Sequence, residues 1–160
     1  MTDFILRWPG EESEWTSLAG FLRQRFPDSE ALKGQVADYV SAIKIKVRVL
    51  QPAARLALIE RARAIKDDDP DRAQKSAVID RAWVESGLAG ILGVQAPIGM
   101  APSDPAMLDA FEATDLMWVL ALAVRAFNEL DPASRAAFFT LAQAATPGVA
   151  PTAQSPGATS

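Results

Sequence analysis

The chain has 160 residues and a mass of 17.2 kDa, with 16 basic and 20 acidic side chains, no His, no Cys and 49% apolar residues. Without Cys or His there is no disulfide framework, zinc finger, thiolate nucleophile, Ser-His-Asp triad or imidazole base, so no cofactor and no metal site is expected. A formal charge of −4 and a pI near 4.8 speak against a general polyanion binder, and the length suits one domain that buries its own core.

Met1 to Gly10 carries Asp3 before the short apolar run Phe4-Ile5-Leu6 and lacks the basic and long apolar regions of a signal peptide. It reads as mature sequence, and the cytoplasm is the expected location. After Pro9-Gly10, Glu11-Glu12-Ser13-Glu14 looks like the acidic first turn of a helix over roughly 11–25. Pro27-Asp28-Ser29-Glu30 opens a second, roughly 29–50, in which Leu32, Val36, Val40, Ile43, Val47 and Leu50 draw one apolar stripe at helical spacing. The same region contains the strict alternation Ile43-Lys44-Ile45-Lys46-Val47-Arg48-Val49, the pattern of a half-buried strand. The helix is preferred because its matches extend further; the alternative is a short strand at 43–49, paired with another at 3–8 that holds Phe4-Ile5-Leu6.

Four later boundaries share one phrase. Gln51-Pro52, Asp69-Pro70, Asp104-Pro105 and Asp131-Pro132 each precede an Ala-rich segment, and proline at a first helical position loses no hydrogen bond while Asp accepts from orphan N–H groups. They predict helices over roughly 53–66, 71–92, 105–130 and 132–145. The fifth is apolar almost all round from Leu116 to Val124, a run of nine residues against the roughly 20 of a membrane span, so it belongs at the centre. Trp15, Trp83, Phe111, Trp118 and Phe127 are expected around it. The expected fold is all-α, an irregular bundle of about six helices within 1–145 around the central helix 105–130. Residues 146–160, rich in Pro, Ala, Ser and Thr, are expected to be a disordered tail.

Four constellations bear on function. Asp67-Asp68-Asp69-Pro70-Asp71 is dense enough in carboxylates to suggest a divalent cation, but Arg72 and Val78 stand where a calcium loop needs Gly and Glu. An acidic helix entry is the simpler reading. Residues 44–66 carry seven basic side chains and one acidic, a segment of +6 inside an acidic protein. Lys44, Lys46, Arg48, Arg55, Arg61, Arg63 and Lys66 would lie on two helices flanking Gln51-Pro52, as in a helix-turn-helix, or form an ordinary solvated face.

The third is the least ordinary: the 18 residues from Ser86 to Ser103 hold no charge. Their glycines match neither a phosphate-binding loop nor a dinucleotide fingerprint. Either Leu88, Ile91, Leu92, Val94, Ile98 and Met100 fold into the core, with Gly93 ending the fourth helix, or some of them form an exposed docking patch. Fourth, Asp109, Glu112 and Asp115 make an acidic ridge that, without His or a recognisable partner cluster, reads as the wet face opposite the apolar one, and Arg125 with Glu129 is an ordinary surface pair.

The expectation is therefore a non-enzymatic adaptor, accessory subunit or assembly partner that docks a protein through the apolar Gly/Pro-rich segment. Self-association is left open, and a nucleic-acid-binding regulator using residues 44–66 is the alternative. The Ala-rich composition, with Arg favoured over Lys, fits a GC-rich bacterial gene.

Overall fold

The computed structural model describes residues 6–28 and 42–129. Among them are five helices and a three-stranded antiparallel sheet, which overturns the all-α bundle of about six helices. The helices are α1 (Leu18–Arg25), α2 (Pro52–Arg63), α3 (Arg72–Gly87), α4 (Pro105–Ala113) and α5 (Met117–Asn128). The strands are β1 (Thr16–Ser17), β2 (Lys44–Val47) and β3 (Leu88–Leu92), in the order β1-β2-β3.

The reason for the sheet lies in the alternation at 43–49. A strand puts the β-branched Ile43, Ile45 and Val47 on one face, and all three are buried; a helix would turn Ile45 away from the other two. The period of two wins because two neighbours are available for pairing. On one side, Thr16 and Ser17 meet Ile45 and Lys44, and the chain before them continues the contact: Gly10 N–H donates to the Val49 carbonyl at 2.7 Å and Ser13 N–H to that of Val47 at 2.8 Å. On the other side, Lys44, Ile45, Lys46 and Val47 oppose Leu92, Ile91, Gly90 and Leu88.

That last register skips Ala89, a β-bulge that turns Leu88 into the core. Thus the helix expected over 71–92 ends at Gly87 and its final turn is a strand. Gly87 is required where it stands, because a Cβ there would overlap Val124 of α5. Gly93, expected as a helix cap, instead closes β3 with φ +86°, and a Cβ there would strike the Ala42 carbonyl.

The expected central helix is also divided. Residues 114–116 separate α4 from α5: Asp115 takes φ +59°, its N–H donates to the Glu112 carbonyl at 3.2 Å, and Leu116 N–H donates to that of Phe111 at 2.9 Å. This is a Schellman termination with Asp in the place usual for Gly, locked by the buried pair Phe111 and Leu116. The apolar half, α5, does sit at the centre, with Leu120, Ala123 and Val124 fully buried.

At the start of the chain, 11–15 is extended rather than helical, and Ser17 caps α1 by accepting from Gly20 N–H at 3.2 Å. Trp83, Phe111 and Phe127 are buried as expected, whereas Trp15 and Trp118 are half-buried. The expected strand at 3–8 falls partly outside the described residues, and those of it that are described, 6–8, are in no strand. Most of 29–42, the helix expected at 132–145 and the tail at 146–160 lie outside the described residues.

Candidate functional site

The uncharged segment 86–103 is split by the fold. Leu88 is in the core, and Ile91, Val94 and Met100 are half-buried against it. Leu92 and Ile98 are not: they are 49% and 105% exposed. The division follows from geometry. Ile91 opposes Ile45 on the inner face of the sheet, while Leu92 opposes Lys44 on the outer face. Ile98 sits at the tip of the β-turn 97–100, closed by Met100 N–H to the Pro97 carbonyl at 3.3 Å, with Gly99 supplying φ +82°. A β-branched apolar side chain is thus held in solvent by a turn that has no steric need for it.

Among the described residues β3 has a neighbour on one side only, so its other edge leaves backbone N–H and C=O groups unpaired by the sheet. Edge strands are normally blunted by charge or proline, and Leu88 to Leu92 has neither. The outer face beside it is cationic: Lys44 and Lys46 project there, and Arg48 meets Glu12 at 3.6 Å. Trp15 lies across this face, its ring edge 2.8 Å from where a Gly90 Cβ would be, with the Lys46 ammonium 5.2 Å from the ring centre. Only glycine at position 90 leaves room for that indole. Trp15, expected around the central helix, thus packs over β3 instead, and the sequence signal for that place is the glycine in an otherwise apolar strand.

The seven cations of 44–66 do not form one surface. Lys44 and Lys46 are on β2 and Arg48 follows it in an isolated bridge to Glu12, which removes the helix-turn-helix arrangement that needed them on a helix. On α2, Arg55 and Arg63 line a cleft with Trp83 and Arg125, whereas Arg61 lines a separate shallow groove with Ile65 and Val78. Lys66 follows the helix and is exposed.

The acidic cluster is occupied with the entry to α3. Asp69 accepts from the Asp71 N–H at 2.8 Å and from the Lys75 ammonium, whose hydrogen bond holds the Asp69 carboxyl below the usual carboxylate range. Asp67 faces Arg72 at 3.5 Å. Asp104 caps α4 by accepting from Ala106 N–H at 2.9 Å, as the Asp-Pro phrase predicts. On the acidic ridge, Arg81 bridges Asp109 at 2.7 Å and Glu112 at 3.2 Å. Among the described residues no helix is long and apolar enough to cross a membrane, and no three acidic side chains converge as metal ligands would. No protein-family model, curated protein or solved structure matches the chain.

Proposed function

We propose that the protein is a non-enzymatic binding module that takes an extended segment of a protein partner along the open edge of β3, with the turn at Ile98 as a second contact. The observation that carries this reading is the uncharged, unblunted edge, continued by Leu92 and Ile98 in solvent. Strand addition uses the backbone for affinity and alternate side-chain positions for selectivity, and β3 offers both. The cations beside it favour a partner strand whose outward residues are acidic. Nucleic acid on Lys44, Lys46 and Arg48 is the second reading, favoured by Lys44 and Lys46 projecting from the same face of β2.

The test is capture from native cells of the full chain and of Leu92→Asp and Ile98→Asp, in nuclease-treated and untreated halves, with Leu56→Asp as control. Leu56 is 52% exposed on α2, away from β3. Each variant should change stability by no more than about 0.5 kcal/mol, because no buried side chain is touched. The expected result is a stoichiometric companion that survives nuclease, binds the control and is lost with either β3 or turn variant. A companion that also binds both variants overturns the reading; one that vanishes with nuclease and with Lys44→Glu transfers it to Lys44, Lys46 and Arg48.

A further inference from the structure

Where α2, α3 and α5 converge there is a cleft of about 470 Å³. Ile59 and Ala62 of α2 line it together with the buried Trp83 of α3, and the cations are Arg55, Arg63 and Arg125. Glu129 is the only carboxylate among the described lining residues, and it is already answered by Arg25 at 3.4 Å and Arg125 at 3.6 Å. Asp80 on α3 is near enough to Arg125 to feel its charge.

The other two arginines are different. Arg55 donates to the Asn128 backbone carbonyl at 3.4 Å, and among the described residues neither it nor Arg63 has a carboxylate within 4.0 Å. Both line the cleft from α2, and eight residues of helix separate their backbone positions by about 12 Å along its axis. Two arginines rooted that far apart, with Ile59 and Ala62 lining the cleft beside them, suit a ligand charged at both ends better than a single compact anion. Guanidinium forks match phosphate oxygens in geometry and charge.

We infer that this cleft binds a small organic bisphosphate, with Arg55 and Arg63 each holding one phosphate and the carbon skeleton lying against Ile59 and Ala62. Its residues are separate from β3 and the turn at Ile98, so failure of either proposal leaves the other standing.

The experiment is calorimetric titration of the full chain at low ionic strength with three probes: fructose 1,6-bisphosphate, fructose 6-phosphate and inorganic phosphate. The expected result is that the bisphosphate binds at least about tenfold more tightly than the monophosphate, and inorganic phosphate more weakly still. Arg63→Gln and Arg55→Gln should each weaken the bisphosphate by about tenfold or more, while Arg61→Gln, in the separate groove, leaves it unchanged. No binding overturns the inference. So does equal binding of all three probes, or equal loss in Arg61→Gln and Arg63→Gln, which is the response of diffuse surface charge. Circular dichroism of each variant confirms that a loss is not unfolding.

Discussion

Asn128 closes the last turn of α5 with one amide and three partners. Its Oδ1 accepts from Leu50 N–H at 2.8 Å, and its Nδ2 donates to the carbonyls of Val124 at 3.0 Å and Arg48 at 3.1 Å. With only 2% of its surface exposed, this side chain fastens the chain that leaves β2 to the central helix. Replacing it with the similar-sized Leu leaves the Leu50 N–H and the Arg48 carbonyl without this partner in a site that admits little water. Asn128→Leu should therefore cost about 2–4 kcal/mol, read from urea unfolding with an unchanged slope, because each stranded group carries a desolvation penalty. A loss below about 1 kcal/mol would mean that solvent reaches these groups and that the clamp is incidental. Nothing in the sequence marks this asparagine, since its three partners come from the helix turn before it and from residues 48–50, far away along the chain.

At the scale of elements, the break between α4 and α5 has a clear chemical signature. Asp115 is exposed and left-handed, so backbone conformation rather than packing decides what this position tolerates. Asp115→Gly should leave stability unchanged or raise it slightly, while Asp115→Val should cost about 1–2 kcal/mol in thermal or urea unfolding, since a β-branched residue resists positive φ. Equal effects of the two substitutions would show that the turn is not held in this geometry. The boundary was invisible in the hydrophobic pattern, where Ala, Leu and Met continue on both sides, and Asp is a weak flag for a position that Gly normally occupies. Helix starts were far more legible. The Asp-Pro and Gln-Pro phrases located the entries of α2 and α4, and Asp69-Pro70 fell two residues before α3, because caps are local chemistry. The sheet was legible only in half: β2 announces itself by alternation, but β3 is Leu-Ala-Gly-Ile-Leu, a short apolar run that periodicity cannot tell from a helix end. Its strand character comes from β2, a partner over 40 residues distant, so it belongs to tertiary structure. The same dependence divided the candidate site, because the bulge at Ala89 decides which of Leu88, Ile91 and Leu92 face the core.

At the scale of the whole molecule, the charges that stability depends on are distributed by burial as well as by number. Asp67, Asp109 and Glu112 are exposed and lie opposite arginines. Asp80 differs from these: α3 carries it half-buried, and desolvation pushes its carboxyl up to about 6 although Arg125 pulls the other way. The linkage has a definite sign. Below pH 3.8 the carboxyl is protonated in the folded and unfolded chain alike, and Asp80 contributes no pH dependence. Between 3.8 and about 6 the folded state keeps a proton that the unfolded state has lost, so this group's contribution to stability falls as pH rises. Above that window the ionised, partly desolvated carboxylate is a standing penalty. Asp80→Asn keeps the shape and removes the charge. Because solvent reaches part of the group and screens it, the variant should be more stable at pH 7.5 by on the order of 1 kcal/mol, the gap closing as pH approaches 4. Urea midpoints of both proteins at several pH values across this range provide the comparison. If the variant is instead less stable at pH 7.5, attraction to Arg125 outweighs desolvation, and Asp80 is one half of an ion pair between α3 and α5 that holds the core together at neutral pH.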